Sequence, residues 1–247
     1  IKMRNDYKLI KKSSTQNFFL SFYLLIKIFL NKKHYNKKIK NNFLKQKEYN
    51  EFANKNLKIN NDWFTHNINC LDFFFKKNNI YHNKIEALEI GSYEGNSSVF
   101  FLKYFQNIKL TCVDTFEGSN DEKADKDYQN KYDNSIYENF VHNTKKYSDK
   151  IRIFKSTSQN FFKNINDKKY DLIYIDGSHS AKDVFDDAIN SFNVLNKDGY
   201  IIFDDFLWDF YSSINEGPMG GIKLFLKKNF FKVKIVSIDY QIIIKKL

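Results

Sequence analysis

The sequence predicts an α/β fold, a doubly wound and mostly parallel sheet that finishes in an antiparallel hairpin. From residue 85 onward, short apolar runs alternate with amphipathic stretches, as in proteins whose helices cover both faces of a parallel sheet. At the end, two apolar runs over 231–236 and 239–245 are separated by a very short turn at Ser237–Ile238. Strands joined so closely form a hairpin, so the last strand is expected to run antiparallel to its neighbour.

Five strands are predicted before the hairpin, and helices are predicted between them. The strands are expected near 85–90, 108–113, 150–154, 170–175 and 199–203. The helices are expected near 96–105, 136–146, 158–164, 181–195 and 219–229, after a lead-in helix within 61–84. The body of the protein is therefore expected to span residues 61–247.

Residues 1–60 are predicted to form a basic, partly apolar N-terminal extension. They hold 15 Lys and Arg against 3 Asp and Glu, whereas the rest of the chain holds 25 against 26. The body is therefore nearly neutral, which makes nucleic acid an unlikely partner despite the net charge of +11. Within the extension, residues 31–60 are expected to form a solvated helix or a linker.

An apolar run, Phe18–Leu30, lies in this extension between pairs of lysines. It is too short for an ordinary membrane span, and no small-residue cleavage site of a secretory signal follows it. Two interpretations stay open: a helix that packs on the body or on a second subunit, and a helix that lies on an anionic membrane surface. The two cysteines, Cys70 and Cys112, cannot form a disulfide framework, so a cytoplasmic protein, with or without peripheral membrane contact, is expected.

Residues 85–98, IEALEIGSYEGNSS, read as a buried strand, a glycine loop and the start of a helix. Glycines allow the backbone to approach a ligand closely, and free N–H groups at a helix start favour a carboxylate or phosphate. Ligands of open α/β sheets bind beyond the carboxyl ends of the strands. At the next such end, Asp114 could accept the hydroxyls of a ribose or cap a turn, and 156–159 could meet an adenine edge or cap a helix.

Three carboxylates follow two further predicted strands, with Asp176 after one and Asp204 and Asp205 after the other. Adjacent carboxylates repel unless they are protonated, hydrogen-bonded or share a cation, and hard oxygen ligands suit Mg²⁺ or a similar ion. The alternative is that one or two of them only cap turns. His179 follows Asp176 in a glycine turn, where a histidine suits a general base.

Together these segments resemble the class I S-adenosylmethionine-dependent methyltransferases, over about residues 62–246. The closest likeness is to small-molecule O-methyltransferases of the catechol and macrolide-sugar types, through LEIGSYEGNSS, VDTFEGS, YDLIYIDGSH and GYIIFDDF. The resemblance implies a seven-stranded sheet in the order 3-2-1-4-5-7-6 and S-adenosylmethionine as cofactor. The DGSH arrangement favours the sugar branch, because catechol-type enzymes carry Lys where this chain has His179.

The resemblance also implies roles for individual residues. His179 would be the catalytic base, and Asp176, Asp204 and Asp205 would hold Mg²⁺ or another divalent cation. Around the cofactor, Glu89, Gly91 and Ser97 would hold its methionine part, Asp114 its ribose, and Ser158 with Gln159 its adenine. The full set of expected cofactor contacts is Glu89, Gly91, Ser92, Gly95, Ser97, Asp114, Thr115, Ser158, Gln159 and Asp176.

The implied reaction is transfer of a methyl group to a hydroxyl of a small molecule or sugar. The alternatives are a non-catalytic module bound to a membrane surface, a nucleic-acid methyltransferase and a nicotinamide dehydrogenase. The only proline, Pro218, lies in neither the D/N-P-P-Y nor the Pro-Cys motif, which leaves ribose methylation as the nucleic-acid alternative. The glycine spacing lacks the G-x-G-x-x-G pattern of a dehydrogenase.

Overall fold

A seven-stranded sheet forms the centre of the computed structural model, which describes residues 23, 24, 26, 44–80, 84–118, 135–208, 213 and 215–247. The strands are β1 (Ile85–Ile90), β2 (Ile108–Asp114), β3 (Ile151–Lys155), β4 (Tyr170–Ile175), β5 (Leu195–Phe203), β6 (Val233–Ile238) and β7 (Ile242–Lys246). Seven α-helices accompany them in the described part of the chain: α1 (Leu44–Asn56), α2 (Ile68–Lys77), α3 (Asn96–Tyr104), α4 (Ile136–Thr144), α5 (Ser158–Asn164), α6 (Ala181–Val194) and α7 (Pro218–Lys228).

The strand order is β3-β2-β1-β4-β5-β7-β6, as the resemblance implied. β7 pairs antiparallel with both β5 and β6, while the other neighbouring pairs are parallel. The predicted hairpin is therefore confirmed, but its turn lies later in the chain than predicted. Ser237 and Ile238 still belong to β6, and the turn is formed by 239–241, where the Asp239 N–H donates to the Gln241 carbonyl at 2.7 Å.

Both faces of the sheet are covered by apolar helix surfaces, as a doubly wound sheet requires. Successive residues of β4 point to opposite faces, so Ile173 contributes to the cluster under α5, α6 and α7, and Tyr174 to the cluster under α1 to α4. The second cluster is rich in aromatic residues, among them Phe75, Phe100 and Phe140, each at most 1% exposed. These two layers hold the strand ends in a fixed arrangement.

Helix α1 forms in the region where a solvated helix or a linker was expected, and most of its residues are exposed or half-buried, but it also packs on the body. Tyr49 is 4% exposed, and its hydroxyl donates to the Asn96 carbonyl at 2.6 Å. After the helix, Asn60 donates from its N–H and its side-chain amide to Glu94 in the glycine loop, both at 2.7 Å. The N-terminal segment therefore supports the loop after β1, while the domain boundary at residue 60 stays a prediction.

Most of the apolar run Phe18–Leu30 lies outside the described residues, as do 119–134 and 209–212. Of the three described positions in the run, Leu24 is 1% exposed within the cluster under α5 to α7, and Tyr23 packs its ring edge against Phe230. This agrees with packing on the body at those positions. No helix among the described residues is long and apolar enough to cross a membrane.

Candidate active site

The carboxyl ends of the four central strands meet at one edge of the sheet. The register pairs Ile90 with both Val113 and Ile175, and backbone hydrogen bonds continue one residue beyond the strands. The Gly91 N–H donates to the Val113 carbonyl at 2.9 Å, the Asp176 N–H to Ile90 at 2.8 Å, and the Asp204 N–H to Ile175 at 3.0 Å. The predicted residues that follow β1, β2, β4 and β5 therefore share one rim.

The glycine loop needs glycine at two positions. Gly91 and Gly95 have φ angles of +81° and +83°, in the left-handed region that L side chains rarely adopt. A Cβ atom on Gly91 would lie 1.9 Å from the Asp176 carbonyl oxygen, so the loop after β1 and the turn after β4 touch backbone to backbone. Helix α3 begins directly after Gly95 and directs its first N–H groups towards this rim.

Glu89, the last acidic residue of β1, is fully buried beneath the loop. Its Oε2 accepts hydrogen bonds from Ser92 Oγ at 2.9 Å, from Ser98 Oγ, and from Cys112 Sγ at 3.3 Å. Burial raises the pKa of this carboxyl, and its side-chain hydrogen bonds oppose the rise. Oε1 has no hydrogen-bond partner within the described part of the chain, so this buried oxygen can accept from a ligand.

Asp114 ends β2 and accepts backbone hydrogen bonds from two loops. Its Oδ2 accepts from the N–H groups of Ser92 at 2.7 Å and Tyr93 at 2.8 Å, and its Oδ1 from Phe116 at 2.6 Å. The carboxylate therefore fixes the glycine loop against β2. A carboxylate has about four acceptor sites, so these bonds leave capacity for a ribose hydroxyl.

The remaining predicted cofactor contacts lie around the same rim. Thr115 is half-buried in the turn after β2, and Ser158 and Gln159 are half-buried at the start of α5. The cap of this helix is Thr157, whose hydroxyl accepts from the Asn160 N–H at 3.2 Å. Ser158 instead forms a hydrogen bond with the buried Asp187 of α6. Burial raises the pKa of Asp187 to about 7.

A compact group of metal-type ligands lies on the rim beside the glycine loop. One side-chain atom each from Asp176, His179 and Asp205 lies within 4.8 Å of the others, and all three residues are half-buried. His179 Nε2 lies 3.2 Å from Asp205 Oδ2. Burial, and then the charges of Asp204 and Asp205, raise the pKa of Asp176 well above its ordinary value. Two carboxylates and an imidazole suit a divalent cation.

Asp204, the third member of the predicted metal set, lies outside this group of three but next to it, and its role as a ligand stays a prediction. Its Oδ2 accepts from Asn67 Nδ2 at 2.9 Å and from the Tyr174 hydroxyl, and its Oδ1 accepts from the Asp205 N–H at 2.8 Å. Burial raises the pKa of Asp204 to about 7, with the charge of Asp205 as the second cause. These hydrogen bonds connect Asp204 to the residues under the rim and to the backbone of Asp205.

Three further residues support the rim through contacts that the sequence does not predict. Glu94, fully buried, joins the glycine loop to Asn60 and to Asn139 Nδ2 at 2.8 Å. Trp208 covers His179 with 4.1 Å between ring centroids. The Tyr240 hydroxyl donates to Asp205 Oδ1 at 2.6 Å; burial and the charge of Asp205 raise its pKa, so the phenol keeps its proton. Such long-range contacts leave no local pattern in the sequence.

Sheet order, terminal hairpin and glycine loop together define a class I S-adenosylmethionine-dependent methyltransferase. Residues 88–206 match a family model described as a methyltransferase domain. The predicted class is thereby confirmed. No curated protein sequence matches the chain.

Solved structures share the fold at low identity. An O-methyltransferase of Bacillus cereus in complex with SAH has a TM-score of 0.54 at 12% identity, over 82% of this chain and 90% of that one. The SAH-bound methyltransferase PaMTH1 of Podospora anserina has a TM-score of 0.53 at 13% identity, over 82% and 87%. The O-methyltransferase TomG of Streptomyces achromogenes, in complex with SAM, has a TM-score of 0.50 at 9% identity, over 72% and 78%.

Proposed function

We propose that the protein transfers the methyl group of S-adenosylmethionine to a hydroxyl of a small molecule or sugar, with His179 as base and a divalent cation at Asp176 and Asp205. The observation that carries the proposal is the group of Asp176, His179 and Asp205 directly beside the glycine loop. A proton acceptor and cation ligands thus lie next to the expected methyl donor. Two of the fold neighbours are named O-methyltransferases, which agrees with an oxygen acceptor.

The glycine loop supports the cofactor part of the proposal. The unpartnered Oε1 of Glu89, within the described chain, is suited to the ammonium group of the methionine part. Asp114 at the end of β2 is suited to the ribose, and Ser158 with Gln159 to the adenine edge. When bound, S-adenosylmethionine supplies an electrophilic methyl group on a positively charged sulfur. The chain supplies orientation, because holding two reactants in contact lowers the barrier by several kcal/mol.

The acidic rim supports the metal part. Asp176 and Asp205 bring two carboxylates together, and their repulsion falls when a cation is shared between them. A divalent cation would act as a Lewis acid that lowers the pKa of the acceptor hydroxyl. Asp204, held by Asn67 and Tyr174, would keep Asp205 in place through its bond to the Asp205 N–H.

His179 supplies the base in this proposal. The acceptor O–H bond breaks, its proton passes to the imidazole, and the oxygen forms the new bond to carbon as the carbon–sulfur bond breaks. Asp205, 3.2 Å from Nε2, stabilises the protonated ring, and Trp208 packed on its face fixes its orientation. His179 occupies the position at which the catechol-type enzymes carry Lys, so a sugar acceptor is favoured.

Chelation tests this function. With a panel of sugar and catechol acceptors, S-adenosylhomocysteine formation identifies an active pair, and EDTA is then added. We expect turnover to fall about 100-fold or more and to return with excess Mg²⁺, because a Lewis acid contributes several kcal/mol to the barrier. EDTA already saturated with Mg²⁺ serves as the control. Full turnover in metal-free EDTA would show that the reaction needs no cation. Asp176 and Asp205 would then only support His179.

A further inference from the structure

The turn between β6 and β7 reaches the acidic rim from a distant part of the chain. Its residue Tyr240 donates a hydrogen bond from its hydroxyl to Asp205 Oδ1 at 2.6 Å. The same turn is anchored through Gln241, whose Nε2 lies 3.4 Å from the Tyr174 hydroxyl, and Tyr174 in turn donates to Asp204. The hairpin is thus joined to both members of the acidic pair that follows β5.

Asp205 has its backbone in the left-handed region, with a φ angle of +54°. Among residues other than glycine, Asp and Asn adopt this conformation most readily. The two oxygens of Asp205 are held from opposite sides, with His179 Nε2 at 3.2 Å from Oδ2 and the Tyr240 hydroxyl at 2.6 Å from Oδ1. The direction of this carboxylate is therefore set by His179, the proposed base, and by Tyr240, which has no part in the proposed reaction.

The ring of Tyr240 is itself positioned. It packs edge-on against His66 at 5.4 Å between centroids, and His66 belongs to the short helix Thr65–Asn67, whose Asn67 donates to Asp204. Removal of the hydroxyl alone would leave this ring contact in place. The phenol oxygen and the ring can therefore be tested separately.

We propose that Tyr240 is a positioning residue that orients the Asp205 carboxylate for cation binding, an inference that rests on the proposed function. The hydroxyl fixes Oδ1, so Asp205 presents its remaining acceptor positions towards Asp176 and His179. Hydrogen bonds to ligating carboxylates are a common means of fixing ligand direction, and their loss costs about 10–100-fold in metal affinity or activity. The β6–β7 turn, which has no other assigned role, becomes part of the active-site rim.

The test compares Tyr240→Phe with Tyr104→Phe. The control also loses a tyrosine-to-aspartate hydrogen bond, from Tyr104 to Asp72 Oδ1 at 3.0 Å, but far along the chain from Asp205. Each protein is titrated calorimetrically with Mn²⁺ and, separately, with S-adenosylhomocysteine, and its thermal unfolding is recorded. We expect Tyr240→Phe to bind Mn²⁺ about 10–100-fold more weakly, with unchanged S-adenosylhomocysteine affinity and a melting temperature like that of the control.

Equal Mn²⁺ affinity in Tyr240→Phe and the wild type would overturn the inference. So would equal losses in Tyr240→Phe and Tyr104→Phe, because the effect would then be one of general stability. If the wild type binds S-adenosylhomocysteine but not Mn²⁺, the proposed cation site is wrong, and so is the proposed role of Tyr240. A wild type that binds Mn²⁺ but not S-adenosylhomocysteine would contradict the cofactor part of the proposed function and leave the Tyr240 comparison valid.

Discussion

Replacement of Gly91 by alanine is expected to abolish S-adenosylhomocysteine binding. The new Cβ atom would lie 1.9 Å from the Asp176 carbonyl oxygen, and the φ angle of +81° is strained for any L side chain. The loop after β1 would have to separate from the turn after β4, which carries Asp176. Because a backbone clash and an unfavourable dihedral act together, we expect the free energy of unfolding to fall by about 4 kcal/mol or more. Calorimetric titration and thermal unfolding of Gly91→Ala measure both effects.

Gly177→Ala is the matched control for this prediction. Gly177 lies opposite Gly91 in the same contact, but a Cβ atom there would be 3.4 Å from Ile90 Cγ2, an ordinary van der Waals distance. We expect this variant to fold and to bind S-adenosylhomocysteine with a much smaller loss. If Gly91→Ala were as stable as Gly177→Ala and bound S-adenosylhomocysteine equally well, the two loops could not approach as closely as described.

His179→Ala is expected to lower turnover by about 10²–10⁴-fold, the usual contribution of a general base. The affinity for S-adenosylhomocysteine should stay unchanged, because the side chain contacts Asp205 and Trp208, which are not among the expected cofactor contacts. Steady-state rates with the acceptor found in the panel, together with calorimetric titration, test both parts. His142→Ala, on the exposed side of α4, provides the control.

The same variant separates two roles for His179, since one imidazole nitrogen cannot hold a proton and a cation together. If it is the base, His179→Ala loses turnover and still binds Mn²⁺ through Asp176 and Asp205. If Mn²⁺ binding is lost in parallel with turnover, His179 is a ligand. Wild-type turnover in His179→Ala would exclude it from the reaction.

The sheet was predictable because its sequence pattern is local. Each buried strand is a short apolar run between turn residues, and the register of β1 with β2 and β4 follows once these runs lie in parallel. The glycine loop was predictable for the same reason, because the left-handed backbone at Gly91 and Gly95 demands glycine. The strand order came from the resemblance and not from the pattern of the chain.

The acidic rim was predictable only in part. The sequence spacing predicted that Asp176, Asp204 and Asp205 lie at neighbouring strand ends. It did not predict the direction in which each side chain points. That direction depends on Asn67 and Tyr174, which hold Asp204 beneath the rim, and these residues are distant in sequence. The contact of the β6–β7 turn with Asp205 could not be predicted for the same reason, because it forms only when the hairpin pairs with β5.

The packing of α1 was also missed. Its sequence, LKQKEYNEFANKN, is mostly polar, so the pattern suggested a solvated helix. Two buried residues, Tyr49 and Ala53, are enough to dock it, because Tyr49 reaches Asn96 at the start of α3. A narrow apolar contact of this kind gives little periodicity in the sequence.

The central claim, that the rim beside the glycine loop binds S-adenosylmethionine, is tested most directly by calorimetric titration with S-adenosylhomocysteine. Asp114→Ala removes the carboxylate at the end of β2. Asp171→Ala is the control, because Asp171 also accepts a backbone hydrogen bond, from the Glu86 N–H at 3.0 Å. Asp171 lies near the opposite ends of the strands. We predict saturable binding to the wild type and to Asp171→Ala, and its loss in Asp114→Ala. No binding by the folded wild type, or equal binding by all three proteins, would contradict the claim.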